Sequence, residues 1–337
     1  MNKEITKRNH YNPCFWTAYW NPDFFDSKLS NADDCGVARD QSVYTLNIRS
    51  KTIYQTKVDN VFFEKNLGWT EVNSESMKKF CKKYQPSEYD SLCKYISQHP
   101  ESVYLDFEDI LQETEDIAYC SLIESVHIGG LSSIVHKGFL SCVLVIHAMR
   151  SYEMMTAMVD FSGTIGMDKW EYLWLLKNAW ANKLTLARAV TPIAMGQWTF
   201  YRTTNNTFPI CDSPIMISRN SVMALISPRL LLEIDIKSIN TKGEFIIRDG
   251  ISSSKYREFQ LRAIKNTYKD IVFNDRHELQ KWQELSIFRH RAEIINNPRS
   301  REQAIHEGAN RVIWAIEGFG KLPSNFEQLV KPYFGMI

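Results

Sequence analysis

The alternation of hydrophobic and polar residues predicts strands near both ends of the chain. Residues 42–48 alternate apolar and polar side chains, and residues 52–58 repeat the pattern after the polar segment 49–51. This spacing predicts a β-hairpin with its turn at 49–51. A second β-rich stretch, marked by aromatic and β-branched residues, runs from about residue 198 to residue 236.

The pattern changes between residues 74 and 194, where glycine and proline are sparse and apolar residues recur every three or four positions. That period predicts a helical lobe, with its most apolar segment, residues 131–159, as a buried central helix. Residues 254–271 and the tail from residue 276 return to a helical pattern.

These elements together predict an α+β fold, in which an antiparallel or mixed sheet is built from N-terminal and C-terminal strands and a large helical insertion lies between them. The N-terminal motif and hairpin occupy residues 1–73, and the helical lobe occupies 74–195. The β-rich region and a closing helix of the same domain occupy 196–275. A C-terminal helical extension occupies 276–337.

Composition narrows the classes of partner. The chain has 337 residues, with 40 basic and 39 acidic side chains, so no global field draws it to nucleic acid or to an anionic membrane, and a local basic patch is left open. The basic residues from 255 to 311 are interleaved with acidic ones, as on a solvated helical face. Seven cysteines without a C-x-x-C pair, and a polar start without a signal-like apolar run, predict a cytoplasmic protein with reduced thiols.

The opening motif carries a resemblance. Residues 8–15, Arg-Asn-His-Tyr-Asn-Pro-Cys-Phe, are similar to the start of a widespread microbial family of unknown function whose members open with His-Tyr-x-Pro-x-Phe/Tyr. Residues 208–215 resemble the Phe-x-x-Ser-Asp-x-Pro-Val segment of that family, 226–228 its Leu-Ser-Pro, and 264–273 its closing Asn-containing helix. The match spans residues 7–275, and the resemblance assigns no reaction.

His10 is the candidate for acid or base catalysis, because an imidazole titrates near neutral pH. Tyr11 and Asn12 are candidate substrate-binding residues that orient it or donate to an anion. The alternative is structural: His10 and Tyr11 pin the N-terminal segment to the sheet through hydrogen bonds to the backbone.

Asp212 is the second catalytic candidate. It follows an apolar strand, where a carboxylate can orient His10 or bind a metal, although Cys211 stands where the family pattern has serine. The alternative is turn chemistry, in which the carboxylate caps backbone N–H groups before Ser213-Pro214.

Arg150, Arg202 and Asn266 complete the predicted substrate-binding set, since arginine forks clamp phosphate or carboxylate groups and an amide both donates and accepts. Either arginine could instead be a structural partner for a carboxylate such as Asp212 or Glu64.

The leading hypothesis is a cytosolic hydrolase acting on a phosphate-containing substrate, a nucleotide or a nucleic acid. The alternative is a non-catalytic recognition or regulatory module in which the same motifs are structural. The standard sequence motifs of nucleotide-binding loops, hydrolase elbows and zincins are absent from the sequence, so the cofactor is unknown, with a divalent metal as the candidate. No membrane partner is expected, and the oligomeric state is left open.

Overall fold

The described strands form one five-stranded sheet, one four-stranded sheet and two two-stranded ladders. A computed structural model of the chain describes residues 8–29, 37–65, 69–84, 86–98, 102–106, 119–157, 168–171, 183–240 and 243–318. The strands in chain order are β1 Arg8–His10, β2 Ser42–Asn47, β3 Thr52–Lys57, β4 Phe63–Lys65, β5 Trp69–Asn73, β6 Ser102–Asp106, β7 Gly196–Arg202, β8 Ile210–Cys211, β9 Ile215–Ile217, β10 Ser221–Ser227, β11 Leu230–Ile239, β12 Phe245–Asp249 and β13 Asp270–Phe273.

The helices lie mainly between β6 and β7 and after β12. Short 3₁₀ turns cover Ala38–Asp40, Val58–Asn60 and Pro86–Glu88. The described helical segments are α1 Cys14–Ala18, α2 Pro22–Leu29, α3 Ser74–Tyr84, α4 Tyr89–Ile96, α5 119–128, α6 Ile134–Met149, α7 152–157, α8 169–171, α9 Lys183–Met195, α10 Ser253–Lys265, α11 Arg276–Glu284, α12 Ser286–Asn296 and α13 Pro298–Gly318.

The four-stranded sheet confirms the predicted α+β fold. Its strand order is β3-β2-β13-β8 with antiparallel pairing throughout, so strands from both ends of the chain share one sheet. The hairpin is confirmed, because β2 and β3 pair from Asn47 with Thr52 outward. Its turn holds Lys51 at a φ of 56°.

The five-stranded sheet is mixed, with the order β12-β7-β11-β10-β9 and one parallel pair, β12 with β7. Strand β10 is almost wholly buried, and α6 and α9 pack beside this sheet. Helix α6 is buried along most of its length, so the apolar segment contains a buried helix, but the prediction of a single helix over residues 131–159 is wrong because α6 ends at Met149 and α7 begins at residue 152.

Two elements differ from the expectations. Strand β13 lies where the closing helix was predicted to continue, because α10 ends at Lys265 and Ile271, Val272 and Phe273 are buried between β2 and β8. Strand β6 lies inside the predicted helical lobe, since it finds a partner in β5. The predicted domain boundaries stay a prediction, and residues 319–337 lie outside the described part of the chain.

Among the described residues, no helix combines the length and the apolar character needed to cross a membrane.

Candidate functional site

The opening motif packs against the later motif segments. The Tyr11 N–H donates to the Phe62 carbonyl at 2.9 Å, directly after the pairing of β1 with β4. In α1 and the following turn, Trp16 Nε1 donates to the Ile226 carbonyl at 3.0 Å, and Trp20 Nε1 donates to the Phe208 carbonyl at 2.6 Å. Segments far apart in sequence therefore meet at the N-terminal segment.

Asp212 is fully buried, and its carboxylate closes a backbone loop. It accepts hydrogen bonds from the backbone N–H groups of Tyr268 and Lys269 at 2.5 Å each, and from the N–H group of Asp270 at 3.1 Å. The Tyr11 hydroxyl donates to it at 3.3 Å. Burial, and then the Asp270 charge, raise the pKa of Asp212 to about 7, while the backbone N–H groups oppose that rise.

Asn12 binds the backbone on either side of the peptide bond between Cys211 and Asp212. Its amide Nδ2 donates to the Cys211 carbonyl at 3.2 Å and to the Asp212 carbonyl at 3.3 Å. We call Tyr11, Asn12, Asp212 and the backbone of residues 268–270 the Asp212 cluster. Its hydrogen bonds hold the N-terminal segment against β8 and the loop before β13.

His10 takes no part in that cluster. Successive side chains of an extended segment point to opposite sides, so Tyr11 faces Asp212 while the His10 ring lies near Asp59 and Cys14. Its Nε2 is 3.6 Å from Asp59 Oδ1, and its Nδ1 is 3.7 Å from Cys14 Sγ. Burial lowers the pKa of His10 to about 4; Asp59 opposes this shift and Arg39 supports it. The ring is therefore neutral at pH 7.

The other predicted residues lie in separate places. Arg150 caps the end of α6, where it is buried and its charge lowers the pKa of His10. Arg202 contacts Asp249, with Nε at 2.8 Å and Nη2 at 2.7 Å from Oδ1, at the rim of a cavity of about 630 Å³. Asn266 caps α10 and donates to the Arg262 carbonyl at 2.8 Å.

A buried acid that the sequence analysis did not single out lies in α7. Glu153 accepts a hydrogen bond from Ser213 at 2.5 Å, and burial raises its pKa. Gly308 of α13 packs so closely that a Cβ atom there would lie 2.3 Å from the Tyr268 hydroxyl and 3.0 Å from Glu153 Cγ. Helix α13 therefore packs closely against Tyr268 and Glu153, next to the Asp212 cluster.

Asn266 lines a cleft between α10, α12, α13 and the turn after β9. The cleft has a volume of about 560 Å³, and we call it the basic cleft. Its walls carry five permanently positive side chains, one histidine and one carboxylate. They are Arg219, Arg262, Lys265, Arg291, Arg311, His290 and Glu307. The sequence predicts a solvated helical face with interleaved charges, and the folding of α10, α12 and α13 brings several of its cations together in one cleft.

Arg291 is the best-buried cation of the basic cleft. Its side chain donates from Nε to the Thr267 carbonyl at 3.0 Å and lies over the Tyr268 ring at 4.6 Å. Only 8% of the residue is exposed, and its buried Nη2 has no hydrogen-bond partner. Arg262 contacts Ser221 and Glu258 through Nη2, while its buried Nη1 also lacks a partner.

The comparisons with known proteins give no relative: no family model, no curated protein and no solved structure matches this chain. The resemblance carried by the opening motif stays a prediction.

Proposed function

We propose that this protein is a recognition module for a phosphate-bearing small molecule of nucleotide size, bound in the basic cleft. The observation that carries this proposal is the charge of the cleft lining, where five cations and a single carboxylate, Glu307, surround one volume. Hydrogen bonds between a charged donor and its acceptor contribute about 1.5–3 kcal/mol each, so the cleft favours an anionic ligand. Phosphate suits the cleft because its oxygens match the guanidinium fork.

The shape and the lining of the cleft favour a ligand with an apolar part. Pockets for small molecules hold roughly 300–1,000 Å³, and this cleft of about 560 Å³ falls in that range. Ile217, Ile287, Ile294 and Ala304 supply apolar walls next to the cations. A nucleotide combines a charged phosphate group with a flat, less polar base, so it fits this lining.

The Asp212 cluster supports a non-catalytic reading of the motif residues. Asp212 already accepts four hydrogen bonds, and Asn12 donates two, so both side chains serve the fold. Under this proposal the motifs fix the N-terminal segment and the C-terminal helices bind the ligand. The cytoplasmic location stays a prediction.

The test is calorimetric titration of the full chain with ATP and with adenosine. ATP should bind and adenosine should not, because the phosphates supply the contacts. The double variant Arg219→Gln/Lys265→Gln should lower the affinity for ATP by at least about tenfold, since it removes charge-assisted contacts. Arg257→Gln/Arg289→Gln removes the same charge from exposed positions outside the cleft and should bind ATP normally. Equal affinities in the two double variants would reject the proposal.

A hydrolase remains the second candidate because one observation favours it. Asp59 lies 3.6 Å from His10 Nε2, so it can take the orienting role that the sequence assigned to Asp212. The check is phosphate release from ATP and cleavage of single-stranded RNA. His10→Asn should abolish turnover, whereas His277→Asn, an exposed change in α11, should not. Absence of turnover in the unaltered protein would leave binding as its function.

A further inference from the structure

Three side chains that bind metals converge near the start of the described chain. His10 ends β1, Cys14 begins α1, and Asp59 lies in the 3₁₀ turn Val58–Asn60. Cys14 Sγ is 3.7 Å from His10 Nδ1, and Asp59 Oδ1 is 3.6 Å from His10 Nε2. One ligand atom from each residue lies within 4.8 Å of the other two. Pairing of β1 with β4 sets His10 opposite Phe63, close in sequence to this turn.

This convergence distinguishes the group from a cysteine–histidine–aspartate relay. In a relay the nucleophile and the carboxylate occupy opposite ends of the imidazole, so they stay far from each other. Here the sulfur and a carboxylate oxygen lie within 4.8 Å of each other. Both therefore point toward a shared volume beside the ring.

The spacing suits a small tetrahedral ion. Zinc binds sulfur at about 2.3 Å and nitrogen or oxygen at about 2.0–2.2 Å, so two of its ligand atoms lie roughly 3.3–3.6 Å apart. The ion binds only one nitrogen of the His10 ring, so only one of the two measured separations, 3.7 Å from Nδ1 to Cys14 Sγ or 3.6 Å from Nε2 to Asp59 Oδ1, is a distance between two of its ligand atoms. The other pairs of ligand atoms lie within 4.8 Å of each other. A small movement of Asp59, whose side chain is 30% exposed, closes the remaining distance.

We propose that His10, Cys14 and Asp59 form a divalent metal site of the zinc class, with a fourth coordination position left open. Sulfur, imidazole and carboxylate together are the ligand types that zinc accepts. The charges of Arg39 and Arg150 act on the same imidazole and oppose the ion, so the site needs both the thiolate and the carboxylate. The site is independent of the ligand proposed for the basic cleft.

The test is titration of the full chain with Co²⁺, monitored by absorption spectroscopy, because a cobalt–thiolate bond gives an intense near-ultraviolet band. The full chain should develop this band and lose it when Zn²⁺ displaces the cobalt.

Cys14→Ser should abolish the band, whereas Cys93→Ser in α4 and the exposed Cys120→Ser should retain it. Loss of the thiolate should weaken Zn²⁺ binding by about 100-fold or more, since even changes behind the ligands cost roughly 10–100-fold. No cobalt–thiolate band in the unaltered protein, or an unchanged band in Cys14→Ser, would overturn the proposal.

A second variant protects the test against misfolding of Cys14→Ser. Asp59→Asn should keep the thiolate band and lower the affinity for Zn²⁺ by at least about tenfold. Asp40→Asn alters a nearby exposed carboxylate that pairs with Lys57, and it should leave the affinity unchanged. Equal affinities for Zn²⁺ in Asp59→Asn and Asp40→Asn would also overturn the proposal.

Discussion

The Asp212 cluster and the basic cleft use polar residues in opposite ways. In the cluster, each oxygen of the buried carboxylate has hydrogen-bond partners, and Asn12 is satisfied by two carbonyl groups. In the cleft, buried nitrogens of Arg262 and Arg291 have no partner. The cluster's carboxylate and amide are therefore fully used by the fold, whereas the cleft brings five cations to one carboxylate and offers this excess of charge to an anionic ligand.

The two regions also meet physically through one residue. The Tyr268 N–H donates to Asp212, and the ring of Tyr268 packs under the Arg291 guanidinium. The cluster therefore fixes the position of Tyr268, and Tyr268 supports the Arg291 guanidinium at the edge of the cleft. Preorganised charges bind an anion better than mobile ones, because less side-chain entropy is lost on binding.

The largest expected effect is on the cluster. Asp212→Ala leaves two buried backbone N–H groups and one partly buried N–H group without an acceptor, so we expect a loss of about 4 kcal/mol in the free energy of unfolding. Chemical denaturation measures this loss. Asp212→Asn keeps one acceptor oxygen and should lose less. A folded Asp212→Ala protein of unchanged stability would show that the Asp212 cluster does not stabilise the fold.

The next effect is on the cleft. Arg291→Lys keeps the charge but loses the planar fork, so the affinity for ATP should fall about tenfold. Arg289→Lys, an exposed change on the same helix, provides the control and should leave the affinity unchanged. Titration calorimetry measures both values. If Arg291→Lys binds ATP as tightly as the unaltered protein, the guanidinium does not contact the ligand.

The stability that Asp212 and Asp270 contribute depends on pH. The pKa of Asp212 is raised to about 7 and that of Asp270 to about 6, so the folded state holds extra protons above the unfolded pKa of roughly 4. The free energy of unfolding contributed by this pair therefore falls as the pH rises from about 4 to about 7.

Asp270→Asn removes one of the two charges and retains an oxygen for Asn47. The variant should be about 1 kcal/mol more stable than the unaltered protein at pH 8, and this advantage should vanish below pH 4. Taking the difference between the two proteins cancels the opposite contribution of His10, which is common to both. A variant that is less stable at pH 8 would show that Asp270 does not repel Asp212.

The smallest effect is at Arg202, a predicted substrate-binding residue. It forms an exposed ion pair with Asp249, so Arg202→Ala should cost no more than about 0.5 kcal/mol in the free energy of unfolding. The affinity for ATP should stay the same, because the residue lies outside the basic cleft. A marked loss of ATP binding would move the ligand to the cavity beside Arg202.

Local sequence patterns were enough to predict the periodic elements. The hairpin of β2 and β3, the buried helix α6 and the strands of the 198–236 region follow from local apolar patterns. Strand β13 did not follow, because the helical pattern of α10 continues toward it and only its neighbours β2 and β8 make it a strand. Local propensity loses to tertiary pairing when a short segment is buried between two strands.

The site residues divide in the same way. The sequence identified Tyr11, Asn12 and Asp212 as unusual polar residues, and it offered capping of backbone N–H groups as one reading of Asp212. The backbone that these side chains hold could not be read from the sequence, because the loop before β13 is more than fifty residues further along the chain than Asp212. The basic cleft does not follow from the sequence, because its cations come from three helices and a turn that are separate along the chain, with acids such as Glu258, Glu293 and Glu307 interleaved among them. Packing of three helices sorts those charges by face, and a linear pattern does not contain that information.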